Sequence, residues 1–204
     1  MSVSGHFVYK GLTIMQHPNV EKAFEELLID LKPTKVLEIG TSSGGLTLMI
    51  RDILDRVGLS DTRLVTYDVY EPQYLRHHVN DGANIDIRVE NAFNHQYSDL
   101  ENGQDIIDYI TSEGTTLVLC DGGSKKNEFR ILSKFLKVGD VIMAHDYSPN
   151  EEYFREYVHD TIWSWLEIQD SDIELPCQEN NLEGYFEETF KNVVWACRKK
   201  NEIK

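Results

Sequence analysis

Residues 36–45 read VLEIGTSSGG, a short apolar strand sequence followed directly by a glycine-rich turn. Glycine lets the backbone turn sharply and approach a ligand closely. The spacing is Gly-x-x-x-Gly-Gly, which differs from the Gly-x-Gly-x-x-Gly of a dinucleotide site. Glu38, two residues before the first glycine, would repel a pyrophosphate but suits a ligand that carries an ammonium group and a positive sulfur. Both features disfavour a nicotinamide enzyme.

Strand-like and helical patterns alternate on both sides of this motif. An apolar helical stripe follows Asn19, which can cap a helix, and similar stripes recur between the strands. Strand-like segments cover residues 63–68, 85–89, 116–121 and 140–144, and a late strand is predicted over 192–197. This alternation predicts an α/β fold with a parallel sheet that helices cover on both faces.

The length of 204 residues predicts a single domain. Residues 1–32 are predicted to form an irregular N-terminal arm, up to residue 18, and a helix. Residues 33–148 form the predicted cofactor-binding core, and residues 149–204 an acidic cover segment and the final strand.

The charge balance excludes two classes of partner. The chain has 20 Lys and Arg against 35 Asp and Glu, a net charge of −15. Such a surface repels phosphate backbones and anionic lipids, so we expect neither a nucleic-acid partner nor a membrane partner. The three cysteines, Cys120, Cys177 and Cys197, show neither a metal-binding spacing nor a disulfide framework. Together with the lack of a long apolar run, this predicts a cytoplasmic location.

Polar residues follow several of the predicted strands at the point where each strand ends. They are Gly40 to Gly45, Asp68, Asn91, Asp121 and His145-Asp146. In open α/β sheets, ligands bind beyond the carboxyl ends of the strands. We therefore expect these residues to surround one binding site, in which Asp68 is placed to accept two hydrogen bonds from a ribose diol.

Four segments resemble the class I S-adenosylmethionine-dependent methyltransferases. They are VLEIGTSSGG, VTYDVYEP (65–72), TLVLCDGG (116–123) and KVGDVIMAHD (137–146). LKPTKVLEIGTSSGGLTL (31–48), preceded by GLTIMQHP (11–18), is more narrowly similar to the cephalosporin-hydroxylase-like and macrocin-type O-methyltransferase branch. The resemblance implies a Rossmann-like, doubly wound sheet of seven mostly parallel strands. The implied strand order is 3-2-1-4-5-7-6, with the last strand antiparallel.

The resemblance also implies S-adenosylmethionine as the cofactor. The residues expected to bind it are Glu38, Gly40, Thr41, Ser42, Gly44, Gly45, Asp68, Asn91 and Asp121. Asn91 falls in the region that contacts adenine in the family, although a role in a turn or a helix cap fits its position equally well.

A divalent cation, magnesium or manganese, is a second expectation from the resemblance. Its ligands would be Asp121, His145 and Asp146, and hard carboxylates suit such ions. His145 departs from the family, which often has an acid there, and the loop after Asp121 lacks a histidine that some relatives carry. His145 could therefore be a ligand, a general base with an ordinary pKa near 6.5, or a residue that satisfies local hydrogen bonds. Lys125 is a candidate to orient or deprotonate the acceptor, or else a solvated side chain.

The acidic cover segment combines charge with aromatic residues. Residues 150–190 contain 12 Asp and Glu and one basic residue, Arg155. Its aromatic side chains could grip a sugar, a ring or a cation, or simply fill the core. The sequence thus predicts an O-methyltransferase acting on a small-molecule or sugar hydroxyl. The alternative is a protein that binds S-adenosylmethionine without transferase activity, as a regulatory or interaction module. A homo-oligomer is compatible with either.

Overall fold

The computed structural model describes residues 5–79, 84–101 and 103–202. A small hairpin begins the chain, formed by β1 (Phe7–Tyr9) and β2 (Leu12–Ile14), which pair in antiparallel fashion. The irregular arm predicted for this region is therefore wrong in part. In β2, the side chains of Leu12 and Ile14 are buried and that of Thr13 between them is exposed. The two buried side chains pack the hairpin against the domain.

Seven further strands form the central sheet. They are β3 (Lys35–Ile39), β4 (Arg63–Asp68), β5 (Ile85–Val89), β6 (Thr116–Cys120), β7 (Val141–Ala144), β8 (Leu182–Gly184) and β9 (Ala196–Lys200). The order across the sheet is β5-β4-β3-β6-β7-β9-β8. Strands β3 to β7 run parallel, and β9 is antiparallel to both of its neighbours. This confirms the predicted strand order and the Rossmann-like fold.

The described helices lie in the connections around the sheet. They are α1 (Val20–Leu31), α2 (Gly45–Arg56), α3 (Gln73–His78), α4 (Gly103–Thr111), α5 (Lys125–Leu132), α6 (Glu151–Tyr153), α7 (Asp170–Glu179) and α8 (Glu187–Lys191). Among the residues described, no helix is both long and apolar enough to cross a membrane.

The core consists of two apolar layers, one on each face of the sheet. In β6, Leu117 and Leu119 belong to the layer that contains α1 and α2. The alternate residues Val118 and Cys120 belong to the layer formed with α4 and α5. Because successive side chains of a strand point to opposite faces, a fully apolar strand such as β6 is buried on both sides. The parallel register brings the carboxyl ends of the strands side by side, since Ile39 lies opposite both Tyr67 and Cys120.

Two local predictions need correction. Asn19 stands at the start of α1, but its side chain makes no capping hydrogen bond. The late strand begins at Ala196 rather than at residue 192. Val194 has a positive φ of 59°, and the Trp195 N–H donates to the carbonyl of Phe190, so these apolar residues form the turn that ends α8. They are buried in the core without belonging to the sheet.

Candidate active site

A cavity of about 240 Å³ lies beyond the carboxyl ends of the parallel strands. Five of the residues predicted to bind the cofactor line it: Gly40, Ser42, Asp68, Asn91 and Asp121. Much of the remaining wall consists of aromatic side chains, which were not predicted from the sequence to bind the cofactor. They include Tyr67, Tyr70, Phe93 and Tyr97, of which Phe93 and Tyr97 stack with ring centroids 5.7 Å apart. The cavity thus combines a polar rim with flat apolar surfaces.

The glycine loop brings the ends of β3 and β6 into close contact. Gly40 has a φ of +96°, and a Cβ atom added there would lie 2.2 Å from the carbonyl oxygen of Asp121. Gly44 has a φ of +81°, and a Cβ atom there would lie 2.5 Å from Cβ of Leu75. A side chain at either position would meet protein atoms as well as an unfavourable backbone conformation. These glycines therefore allow the protein itself to pack tightly around the loop.

Asp68 is held in a defined orientation at the end of β4. Its Oδ2 accepts a hydrogen bond from the Ser42 N–H at 2.7 Å, and its Oδ1 accepts one from the Tyr70 N–H at 2.9 Å. Each carboxylate oxygen can accept a further hydrogen bond, so both still have capacity on the side of the cavity. This arrangement suits a ligand that offers two neighbouring hydroxyl groups.

Glu38 lies beneath the glycine loop and does not belong to the cavity lining. It is fully buried, and its Oε2 accepts hydrogen bonds from the hydroxyls of Thr47 at 2.5 Å and Thr66 at 2.6 Å. Burial raises the pKa of Glu38 to about 7, against the lowering effect of the two threonine hydrogen bonds. Its Oε1 is buried without a hydrogen-bond partner among the described residues. A donor from a bound ligand or its water would satisfy this oxygen.

Thr41 and Gly45 also support the loop from within the protein. The Thr41 hydroxyl pairs with that of Thr66 at 2.6 Å. A Cβ atom at Gly45 would lie 2.5 Å from the carbonyl oxygen of Thr13 in the hairpin. The sequence motif therefore divides into residues that line the cavity and residues that shape the loop from behind.

A second polar cluster adjoins the cavity through Asp121. Here β6, α5 and β7 bring together Asp121, Lys125, His145 and Asp146, and the following loop adds Glu167. The Lys125 ammonium lies 3.0 Å from Asp146 Oδ2, 3.3 Å from Glu167 Oε2 and 3.9 Å from Asp121 Oδ1. Burial alone would lower the pKa of Lys125, but the three carboxylates raise it well above its ordinary value. Lys125 is therefore a persistent cation and poorly suited to act as a base.

His145 is enclosed rather than open to the cavity. It is 2% exposed, and its ring lies between those of Trp163 and Trp195, with centroids 5.0 Å away in each case. Its Nδ1 lies 3.2 Å from Asp121 Oδ1 and 3.3 Å from Asp146 Oδ1, which assigns a proton to Nδ1. Nε2 is buried without a partner among the described residues. This geometry favours a positioning role over the role of general base.

Two tryptophan indoles determine which groups donate hydrogen bonds to the two aspartates. The Trp163 Nε1–H donates to Asp146 Oδ1 at 2.6 Å. The Trp195 Nε1–H donates to Gln16 Oε1 at 2.8 Å, which turns the Gln16 amide so that its Nε2 donates to Asp121 Oδ2 at 2.8 Å. An indole N–H can only donate, so these assignments are unambiguous. Gln16 lies within the GLTIMQHP segment that carried the resemblance but was not selected as a site residue, and Trp163 stood out only as one of several aromatics in the acidic segment.

Asp146 occupies a strained position at the end of β7. Its φ is +57°, a conformation that non-glycine residues rarely adopt. Burial alone would raise the pKa of Asp146, but the neighbouring His145 and Lys125 lower it below its ordinary value. Within the described ranges, no three His, Cys, Asp or Glu side chains converge so as to hold a metal ion. The predicted set of Asp121, His145 and Asp146 is thus brought together, but around hydrogen-bond donors.

Comparisons with known proteins agree with this fold. The model of the family described as rhamnosyl O-methyltransferase/CmcI matches residues 1–163. An apo structure of CmcI aligns with a TM-score of 0.66 at 14% identity, covering 97% of this chain and 77% of that one. A CmcI structure with Mg and SAM aligns with a TM-score of 0.62 at 17% identity, covering 94% and 76%.

An O-methyltransferase family protein from Burkholderia thailandensis also aligns, with a TM-score of 0.59 at 9% identity, covering 91% of this chain and 56% of that one. At these identities, the solved structures establish the fold alone. No curated protein matches the chain significantly.

Proposed function

Because the chain belongs to the rhamnosyl O-methyltransferase/CmcI family of S-adenosylmethionine-dependent enzymes, we propose that it methylates a hydroxyl group of a small molecule or sugar. The observation that carries the proposal is the position of Asp121. This residue lines the cavity at the strand ends and also belongs to the neighbouring polar cluster. A cofactor in the cavity would then present its methyl group towards an acceptor held by that cluster.

The cavity residues fit S-adenosylmethionine. Asp68 keeps hydrogen-bonding capacity for the two ribose hydroxyls, and the aromatic wall offers flat surfaces for adenine. Gly40 and Ser42 bring backbone close to the ligand, and Asn91 lies on the rim. Glu38 supports the cavity from behind, because its carboxylate holds Thr47 and Thr66 beneath the glycine loop. The bound cofactor supplies an electrophilic methyl group on a positively charged sulfur.

The protein's own contribution to the reaction is mainly alignment. The acceptor oxygen must approach the methyl carbon opposite the sulfur, and correct placement can supply several kcal/mol of the barrier. Transfer to oxygen would form a carbon–oxygen bond and break the carbon–sulfur bond of the cofactor, whose electron pair would stay on the sulfur. The hydroxyl proton must also leave. Asp121 is the carboxylate that reaches both spaces, and we assign it as the group that accepts or orients this proton.

Calorimetry with S-adenosylhomocysteine tests the cofactor site. We expect the wild type to bind it and Asp68→Ala to bind it at least tenfold more weakly, because two hydrogen bonds to a charged group are lost. Asp61→Ala removes an exposed aspartate outside the cavity and should bind like the wild type. Absence of binding by the wild type, or equal binding by Asp68→Ala, would contradict the proposal.

The acceptor class requires a separate measurement. Methyl transfer from S-adenosylmethionine to methyl rhamnoside and to catechol, followed by mass spectrometry, compares a sugar with an aromatic diol. A product from either compound supports transfer to oxygen. Product from catechol alone would restrict the proposal to small aromatic acceptors.

A further inference from the structure

We propose that the Lys125 ammonium is the cation of the acceptor site, at the place where the sequence predicted a divalent metal ion. The inference rests on the proposed function, since it concerns the site at which that function would hold its acceptor. It goes further in assigning the charge that balances the carboxylates to a residue of the chain itself.

The distances from Lys125 Nζ to the surrounding carboxylate oxygens are those between an ammonium and its ion-pair partners. One oxygen from each of Asp121, Asp146 and Glu167 faces Nζ, at 3.9, 3.0 and 3.3 Å respectively. Oxygen ligands approach magnesium or manganese much more closely, at roughly 2.0–2.2 Å, and approach calcium at about 2.3–2.6 Å. A metal ion at the position of Nζ would therefore have none of these three oxygens within coordination distance.

The remaining oxygens of the two aspartates are occupied by neutral donors. Asp121 Oδ2 accepts from Gln16, and Asp146 Oδ1 accepts from Trp163. These two contacts leave Asp146 Oδ2 to face Lys125 Nζ at 3.0 Å, while Asp121 Oδ1 lies 3.2 Å from His145 Nδ1 and 3.9 Å from Lys125 Nζ. The cluster is therefore oriented for one cation, and Lys125 supplies it.

The ammonium is held in place by the fold. Lys125 is the first residue of α5, and its side chain is 12% exposed. Its backbone N–H donates to Glu167 Oε1 at 2.7 Å, while its ammonium faces Oε2 of the same carboxylate. Glu128 accepts from the N–H groups of Gly122 at 3.1 Å and Ser124 at 2.9 Å, which fixes the preceding loop. Displacement of the ammonium by a metal ion would break its ion pairs with Asp146 and Glu167.

One N–H of the ammonium remains for the acceptor. An ammonium group has three donors, and two carboxylates lie within 3.5 Å of it. The third carboxylate, Asp121, is more distant at 3.9 Å and lies on the side of the cavity. A hydroxyl oxygen placed between Lys125 and Asp121 could accept from the ammonium and donate to the carboxylate. Lys125 would then position the acceptor through a hydrogen bond instead of a metal–oxygen bond.

Manganese titration by calorimetry, in the presence of S-adenosylhomocysteine, tests the assignment with a readout independent of turnover. We expect no saturable Mn²⁺ binding to the wild type up to millimolar concentration. Lys125→Ala leaves three carboxylates without their cation, so we expect it to bind Mn²⁺ at least tenfold more tightly than the wild type. Lys126→Ala is the matched control, because Lys126 is half-exposed and pairs with Asp172 outside the cluster.

Several outcomes would overturn the assignment. Saturable Mn²⁺ binding to the wild type that is lost in Asp146→Asn would place a metal at the site. Equal Mn²⁺ affinity of Lys125→Ala and the wild type, or an equal gain in Lys126→Ala, would also reject it. If Lys125→Ala does not fold, as judged by circular dichroism, Lys125→Met keeps the side-chain stem and is held to the same criterion. Failure of the wild type to bind S-adenosylhomocysteine would refute the proposed function separately, whatever the manganese titration shows.

Discussion

Substitution of Gly40 by alanine tests the close approach of the glycine loop to β6. An added Cβ atom would lie 2.2 Å from the Asp121 carbonyl oxygen and 2.6 Å from its carbonyl carbon, both of which are backbone atoms. Real Cβ atoms do not approach so closely, and backbone in the sheet cannot rotate aside as a flexible side chain can. The end of β3 must therefore move away from β6, which would also distort the cavity.

The expected magnitude has two parts. A non-glycine residue with positive φ costs about 1–2 kcal/mol, and overpacking a tight site costs typically about 1–3 kcal/mol more. Gly58→Ala isolates the first part, because Gly58 has a φ of +82° but none of the described residues places an atom within 4 Å of the added Cβ. We expect Gly58→Ala to lose about 1–2 kcal/mol of unfolding free energy and Gly40→Ala about 2–5 kcal/mol.

Urea unfolding followed by circular dichroism measures both variants. Calorimetry with S-adenosylhomocysteine should show weaker binding for Gly40→Ala and unchanged binding for Gly58→Ala, since only Gly40 lines the cavity. Equal destabilisation of the two variants would refute the argument from close approach. Full affinity for the ligand in a destabilised Gly40→Ala would refute the link between this contact and the cavity.

Two further predictions concern Glu38 and the aromatic wall. The pKa of Glu38 is raised from 4.5 to about 7, so the folded state binds a proton that the unfolded state releases above pH 4.5. The preference of the folded state for the protonated carboxyl adds to the free energy of unfolding below pH 4.5. This stabilisation, up to about 3 kcal/mol, is lost as the pH rises through 7. Urea unfolding should give a lower free energy of unfolding at pH 8 than at pH 5, and Glu38→Gln should make this difference smaller. The same difference in Glu38→Gln and the wild type would contradict the assignment. Tyr97→Ala should weaken S-adenosylhomocysteine binding about tenfold or more, since stacking on a base is worth about 1–3 kcal/mol. Tyr74→Ala, at a side chain 72% exposed and outside the cavity, should not, and equal loss in both variants would exclude a specific stacking contact.

Local patterns predicted the parallel strands, whereas the strand order was implied by the family resemblance. The apolar run Leu117–Cys120 of β6 is followed directly by Asp121, and Asp68 is the last residue of β4. Because parallel strands present their carboxyl ends at one edge, these positions predicted a shared site, and both residues line the cavity. The turn at Val194 was missed because apolar residues that fill a core turn look the same in sequence as those of a buried strand.

The separation between cavity-lining and supporting residues could not be read from the motif. Gly40 and Glu38 lie two positions apart, yet Gly40 lines the cavity and Glu38 lies buried beneath the loop. Successive residues at a strand end point in different directions, and the turn that follows decides which of them meet the ligand. The sequence contains the residues of the motif but not this geometry.

The chemical setting of the acidic pair arises from contacts between distant segments. Gln16 reaches Asp121 across 105 positions and Trp195 reaches Gln16 across 179, so no local spacing reports either hydrogen bond. The residue types at the strand ends were enough to predict an α/β fold with carboxylates gathered at the strand ends, because strand and glycine-turn patterns are local. Whether those carboxylates face a metal ion or the Lys125 ammonium depends on side-chain directions that arise only when β6, α5 and β7 pack together.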